Sequence, residues 1–359
     1  MALHDEALLA EVPITGRALT LPPGPIFHLH RAADSDYEIG EFRAWAGYKN
    51  LGVDAVTDGL AHFQHVISFG ATKDAGRTGV HGHFAHVHVV IPTSGRGVFS
   101  YDGVTTEAVP GVMIHQHGGT IHDQFDYSYA GGSMAQNKLT PQSLDPVAPD
   151  APVQSFGFLE LFVPLRFANV EIVPPKSVTE ADQRSAWDHP YHAAGASFSL
   201  QTPDDSGAAY RAVAGRPDLE ARDAGIWGPS GELCAVWVVR AAQGVAGPPV
   251  PLEIPGEAGG LTILYMVRGA ANVVRDDGEL VQLNAGDCLT ANQALAGDPV
   301  DPSADMSLLK VFISSRAEGL RERTPAEIEK LEALGPAIIT RRETRAAGDV
   351  RPVNALHGG

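Results

Sequence analysis

Seven of the fifteen histidines stand between positions 81 and 122, His81, His83, His86 and His88 in one cluster and His115, His117 and His122 in a second. Their neighbours are mostly Val, Ile, Phe and Gly, which points inward rather than to a solvated charged face. Imidazole binds divalent transition metals as a neutral ligand, and ligand type alone leaves Fe, Mn, Ni, Cu and Zn open. In a strand, a His-x-His pair puts both rings on one face about 6.5–7 Å apart along the chain, which suits two ligands converging on one ion. A further histidine must then come from another segment.

The elements that must hold such rings read as β structure. The 39 glycines and 26 prolines are spread as turn punctuation between short runs rich in Val, Ile, Phe and Thr, the pattern of a mostly antiparallel all-β protein. Gly97–Gly103 reads as a strand closed by an Asp-Gly turn, and Asp276-Asp277-Gly278 marks a second such hairpin. Residues 1–25 form an arm ending in Leu21-Pro-Pro-Gly-Pro25, too proline-dense for a helix or a central strand. A first barrel is expected over 26–172, a linker with covering segments over 173–229 and a second barrel over 230–320. Within the first, Ser133–Asp150 reads as a long loop, a lid or partner contact. A C-terminal helix and polar tail follow over 321–359, the helix opening at Thr324-Pro325-Ala326-Glu327 with a cap, a first-turn proline and a capping-box glutamate.

Composition excludes several classes. With 359 residues and 44% hydrophobic content the chain can bury a large core, while a formal charge of −17 disfavours DNA and RNA. Cys234 and Cys288 cannot make a disulfide framework or a short metal pair and read as small buried apolar residues. No basic segment followed by a long apolar stretch opens the chain, and no run approaches eighteen apolar residues, so a cytoplasmic protein without membrane partners is expected. There is no phosphate loop and no Gly-x-Ser-x-Gly or Ser-His-Asp signal.

The histidine spacing resembles the cupin superfamily. His81-Gly-His83, four residues, His88, six residues and Gly95 follow the first cupin motif, with His88 where the family usually carries Glu. Gly111, five residues, His117 at the proline place, one residue, Gly119, two residues, His122, three residues and Asp126 at the asparagine place follow the second. The likeness implies two cupin barrels, each a double-stranded β-helix or jelly roll, with a few short helices. It implies metal ligation by His81, His83 and His122, with His88 as a fourth ligand or swung away. Four neutral imidazoles would leave a divalent ion at its full charge and attractive to an anionic substrate. A competing register takes His86 and His88 as the His-x-His pair, but Pro92 and Thr93 then occupy the carboxylate's place. Aligning Gly269 with Gly95 and Gly286 with Gly111 places Pro255, Glu257, Thr262 and Gly297 at the ligand positions of the second barrel. None of these makes a metal set, so the resemblance is to a bicupin with one live site and a degenerate C-terminal barrel.

Several residues stand around that site as second-shell or substrate candidates. His62 and Gln64 share one strand face, with His65 on the other. Gln124, two beyond His122, could reach the first shell, and Arg96 beside Gly95 could clamp a carboxylate. His115 and His117 read as packing or rim residues, and the isolated His189 and His192 as packing, surface or substrate contacts. Among bicupins, the nearest analogy is with ring-cleaving dioxygenases, which implies Fe(II), O₂ and a small hydroxylated aromatic acid in a homo-oligomer. The rival readings are a non-oxidative lyase, isomerase or hydrolase using Mn, Zn or Ni, and a non-catalytic small-ligand binder.

Overall fold

The protein was examined as a computed structural model, which describes residues 20–39, 46–68, 81–82, 85–101, 104–116, 120–128, 134–138, 140–148, 150–163, 170–173, 198–202, 209–257, 259–292, 295, 297–318 and 338–341. The first half carries β1 (Phe27–His30), β2 (Glu38–Ile39), β3 (Ala46–Asn50), β4 (His62–Ser68), β5 (His81–Gly82), β6 (Val87–Ser94), β7 (Gly97–Tyr101), β8 (Val104–Ala108), β9 (Met113–Gln116), β10 (Ile121–Tyr127), β11 (Gly157–Val163) and β12 (Val170–Val173). The second half carries β13 (Phe198–Gln201), β14 (Arg211–Val213), β15 (Arg216–Asp223), β16 (Cys234–Ala241), β17 (Leu261–Arg268), β18 (Ala270–Val274), β19 (Leu280–Asn284), β20 (Cys288–Ala291), β21 (Ser307–Ile313) and β22 (Ile338–Arg341). Among the described residues, helix is limited to single turns such as Val53–Val56 and Met134–Asn137. The fold is therefore all-β, as expected.

Two barrels result. In the first, the sheet β13-β9-β6-β11-β4-β3-β2 faces the sheet β22-β12-β5-β10-β7-β8. Val66, Val90 and Ile114 from the one meet Phe99 and Tyr101 from the other in the barrel interior. In the second, β1-β20-β17-β21-β16-β15-β14 faces the hairpin β18-β19 around Trp237, Leu264, Met266 and Leu289. A third apolar cluster joins the barrels through the outer faces of their larger sheets, where Phe63 meets Tyr265 edge-on at 6.0 Å between ring centres.

Alternation along β6 shows how this works. Val87, Val89 and Ile91 face the other barrel while His88 and Val90 face into their own, so every residue of the strand is buried. A strand wedged between two cores loses the polar half of its alternation, and any polar side chain that it points inward lies under the barrel wall.

Strand pairing crosses the expected domain bounds. β1 pairs with β20 of the second barrel, and β13 pairs with β9 of the first, so each barrel takes an edge strand from a segment flanking the other. Residues 211–223, expected as linker, form β14 and β15 of the second barrel. The polar look of Leu219-Glu-Ala-Arg-Asp223 misleads because Glu220 and Arg222 are buried. Glu220 pairs with Arg240 and accepts the amides of Gln243 and Val245, and Arg222 donates to the carbonyl of Leu144. That last bond pins the loop at 143–145 across the junction between the barrels. Within the region expected as C-terminal helix and tail, β22 adds to the first barrel by pairing with β12, while the helix expected from Thr324 lies outside the described residues. No helix among the described residues is long and apolar enough to cross a membrane.

The motif glycines have a visible reason. Gly95 turns from β6 into β7 at φ +60°, and a Cβ there would stand 2.4 Å from Ser128 Oγ and 2.6 Å from the carbonyl of Gln154. Gly269 repeats the arrangement between β17 and β18, at φ +74° and 2.4 Å from Ser303 Oγ. In both corners the serine hydroxyl accepts the next amide, that of Arg96 at 2.8 Å and that of Ala270 at 2.9 Å. The shared corner supports the alignment of the two halves.

Candidate metal centre

Four strands of the first barrel bring polar side chains to one interior face. β6 contributes His88, which stands opposite Gln116 of β9 on one side and Phe162 of β11 on the other. β10 contributes His122, opposite Tyr101 of β7 and, by backbone pairing, opposite His81 of β5. β11 contributes Glu160, opposite Gln64 of β4. Directly paired residues share a face and sit about 4.5–5.5 Å apart at Cβ, so register gathers His88, Glu160 and Gln64 on the larger sheet, and the facing of the two sheets brings His122 to them.

The rings of His88 and His122 lie 5.9 Å apart at 48°. Both are buried, His88 at 2% and His122 at 5% exposure. The Phe162 ring stacks on His88 at 4.3 Å and 13°, and Tyr101 lies 5.7 Å from His122. His88 Nε2 sits 2.8 Å from Glu160 Oε1, and Gln64 Nε2 donates to Glu160 Oε2 at 2.6 Å. His62 Nε2 lies 3.1 Å from Gln64 Oε1, extending the chain of contacts toward Asp54 at 3.6 Å from His62 Nδ1. His122 Nδ1 lies 3.1 Å from the carbonyl of Thr120, on its own strand's approach.

Two further interior groups bear on what the site could hold. Gln116 is buried, and neither of its amide atoms has a hydrogen-bond partner among the described residues; the Tyr101 hydroxyl is in the same state. Burial, with the Glu160 carboxylate adding to it, pushes the Tyr101 phenol well above its ordinary range, so it stays protonated and can donate. Unsatisfied buried polar atoms cost about 1–3 kcal/mol each, and here they share an interior with two imidazoles and a carboxylate. Among the described residues no three His, Cys, Asp or Glu side chains converge to hold an ion, so the two imidazoles, which are donors that suit a divalent transition metal, would need further ligands from outside them.

The sequence candidates distribute as follows. His88, His122, His62, Gln64 and Gln124 lie in the described interior of the first barrel or along its polar chain. His81 is in register with His122, while its side chain, and all of His83 and His117, lie outside the described residues. His115 does not join the group: it pairs with Val89, whose face is the junction between barrels, and its neighbour Gln116 takes the inward place. Arg96 is not brought to the group. It stands at the end of β7 remote from Tyr101, about 17 Å along the strand from the histidines, with a half-exposed guanidinium held by Glu107 at 2.7–2.9 Å. His65, on the other face of β4, hydrogen-bonds Tyr37 and Thr93 instead. His189 and His192 lie outside the described residues.

Glu160, Gln116 and Tyr101 were missed by sequence reasoning. Glu160 had a signal: it is the single charge in Phe156–Val163, an otherwise apolar run, and a lone buried carboxylate in a strand needs partners. In the second barrel the same positions hold no such set. Thr262 stands where His88 does, Lys310 where Glu160 does and Trp237 where Gln64 does, judged by equivalent pairings. Lys310 instead pairs with Asp298 at 2.7 Å.

No protein-family profile and no curated protein matches the chain by sequence. Among solved structures it is similar to oxalate decarboxylase from Bacillus subtilis, a protein with Mn(II) centres, at 12% identity and a TM-score of 0.46, covering 80% of this chain and 77% of that one. It is also similar to a putative glyoxylate-induced protein from Pseudomonas aeruginosa, at 9% identity and a TM-score of 0.43, covering 84% and 96%. Likeness at this level transfers no residue role to the present chain.

Proposed function

We propose that the first barrel is the site of a metal-dependent oxidoreductase, an Fe(II) dioxygenase acting on a small hydroxylated aromatic acid or a similar chelating molecule. The observation that carries the proposal is the approach of His88 and His122 in the buried interior of the barrel beside Gln116 and Tyr101, two buried polar groups without hydrogen-bond partners among the described residues. His122, His81 and His83 would hold the ion, with His88 beside them. A divalent ion bound there supplies Lewis acidity and a template for substrate oxygens and, as Fe(II), electron transfer to O₂. Mn, Ni, Cu and Zn remain compatible with the donor set.

The chain's own groups have separate tasks. Phe162, Phe99 and Tyr101 make an apolar wall suited to a planar ring, and Phe162 keeps the His88 ring from turning by stacking on it. The Gln116 amide and the Tyr101 hydroxyl can donate to substrate oxygens, which would satisfy both buried groups. Burial of His88, His122, Gln116 and Tyr101 away from solvent strengthens each polar contact. A second reading, a non-oxidative lyase, isomerase or hydrolase at the same histidines, is favoured by Glu160 and Tyr101, which place a proton acceptor and donor at the site.

The test is oxygen uptake by iron-reconstituted protein over a panel of dihydroxy-aromatic acids and β-diketones, together with metal analysis of protein purified without added metal. Uptake with one class of substrate is expected; no uptake with any, alongside tightly held zinc, would sink the oxygenase reading. His122→Ala should lose bound metal, and full occupancy in that variant would contradict the assignment itself.

A further inference from the structure

We propose that Glu160 is the charged partner of this metal centre: it fixes the tautomer and direction of His88 and supplies the negative charge that a histidine at position 88 does not. The proposal rests on the metal-centre reading above and goes beyond it by naming an anion from a strand outside both histidine clusters.

The chemistry of the contacts leaves little choice. An ionised carboxylate only accepts hydrogen bonds, so the 2.8 Å contact requires His88 Nε2 to carry the hydrogen and donate it to Glu160 Oε1. In a neutral ring, Nδ1 then holds the lone pair. Gln64 occupies the other carboxylate oxygen at 2.6 Å, and Phe162 stacks along the ring at 4.3 Å, so neither the carboxylate nor the imidazole is at liberty to turn. If His88 meets a metal, it does so through Nδ1, with Glu160 behind it. A carboxylate hydrogen-bonded to the far nitrogen of a ligating histidine raises the basicity of the ring and orients it.

The second barrel closes without a carboxylate at this place. Desolvating a charge in a barrel wall is costly unless it is paired, and the apolar neighbours Phe158, Leu159, Leu161 and Phe162 show that the strand packs as a hydrophobic element. The equivalent position in the second barrel is Lys310, of opposite sign, next to Thr262 in the place of His88. Where the histidine is absent, so is the carboxylate.

A consequence follows for the substrate. With His88 neutral, Glu160 lowers the formal charge of a divalent centre from +2 to +1, which a monoanionic chelator brings to neutrality.

The experiment measures Mn(II) binding to metal-free full-length protein by equilibrium dialysis, for wild type, Glu160→Gln and His122→Ala, with ¹⁵N NMR of the histidine rings in the metal-free wild type. The proposal expects His88 with hydrogen on Nε2, and Mn(II) affinity about 10–100-fold weaker in Glu160→Gln. Near-wild-type affinity in Glu160→Gln, with binding lost in His122→Ala, overturns the role of Glu160 and leaves the metal centre standing. Full occupancy in His122→Ala overturns both. Should Glu160→Gln fail to fold, the NMR decides alone: hydrogen on Nδ1 of His88 refutes the proposal.

Discussion

Gly95 offers a prediction whose size can be worked out atom by atom. Its φ of +60° costs an L-residue about 1–2 kcal/mol, and Gly95→Ala must bear that strain whatever the surroundings. The added Cβ would also stand 2.4 Å from Ser128 Oγ, 2.6 Å from the Gln154 carbonyl and 2.8 Å from the Phe156 amide nitrogen. Two of those contacts are backbone, so Ser128 is the group that can move, and moving it forfeits its bonds to Arg96 N at 2.8 Å and Gln154 O at 2.5 Å. At about 1 kcal/mol for each hydrogen bond, the steric part adds about 2 kcal/mol, for a total of about 3–4 kcal/mol. Gly215 is the control, because it has φ +74° and nothing within 4 Å of its notional Cβ, so Gly215→Ala should show the backbone strain alone. Thermal melting of the two variants is the assay; for a unit of this size about 1 kcal/mol moves the midpoint about 2–4 °C, so Gly95→Ala should melt about 4–8 °C below Gly215→Ala. The same corner aligns β7 with β10, hence Tyr101 with His122, so the alanine should also weaken metal binding. Equal melting temperatures for the two variants would refute the steric reasoning.

Two other outcomes follow from the structure. His65 is fully buried against Tyr37 and Thr93, and desolvation lowers its pKa from 6.5 to about 3. The unfolded chain then takes up a proton that the folded chain refuses, so this residue's contribution is complete above pH 6.5 and is lost as pH falls toward 3. Denaturation midpoints measured over that range should fall more steeply in wild type than in His65→Gln; parallel slopes would count against a buried neutral histidine. Arg96→Ala removes a surface pair with Glu107 worth about 0.2–1 kcal/mol and should leave both Mn(II) binding and substrate turnover unchanged, whereas loss of substrate affinity would restore the carboxylate clamp suggested by its sequence position.

Local spacing carried the parts of the site that depend on local geometry. The distance from His81 to His122 along the motifs predicted that residues from separate strands would meet; His122 pairs directly with the backbone of His81, and the His88 ring meets that of His122 across the two sheets. Asp276-Asp277-Gly278 announced the hairpin between β18 and β19. What stayed hidden was whatever needs a partner from far along the chain. Glu160 reads as a surface charge until Gln64 and His88, 96 and 72 residues away, are seen to hold it. Glu220 and Arg222 disguised a buried strand as linker for the same reason. The exchange of β1 and β13 between barrels has no local signature, because an edge strand's alternation says that it pairs but not with which edge. His115, read as a packing or rim residue, packs on the junction face through parity, since a strand sends odd and even residues to opposite faces and only the pairing with Val89 tells which face is inward.

The two barrels together turn that parity argument into one about function. Their corners are alike down to the serine that caps each motif glycine, so the scaffold demanded the same backbone twice. Inside, the scaffold was permissive. The first barrel holds histidines and a carboxylate where the second holds Thr262, Lys310 and Trp237, and the second still closes around its own apolar core. In the first barrel Glu160 is held by His88 and Gln64, whereas the second fills the same places with Thr262, Trp237 and a Lys310 paired to Asp298. The shared scaffold thus accepts a buried charge in either barrel and the residue present sets its sign and partners, which makes the polar interior of the first barrel, rather than the fold the two share, the place where this chain's chemistry should be sought.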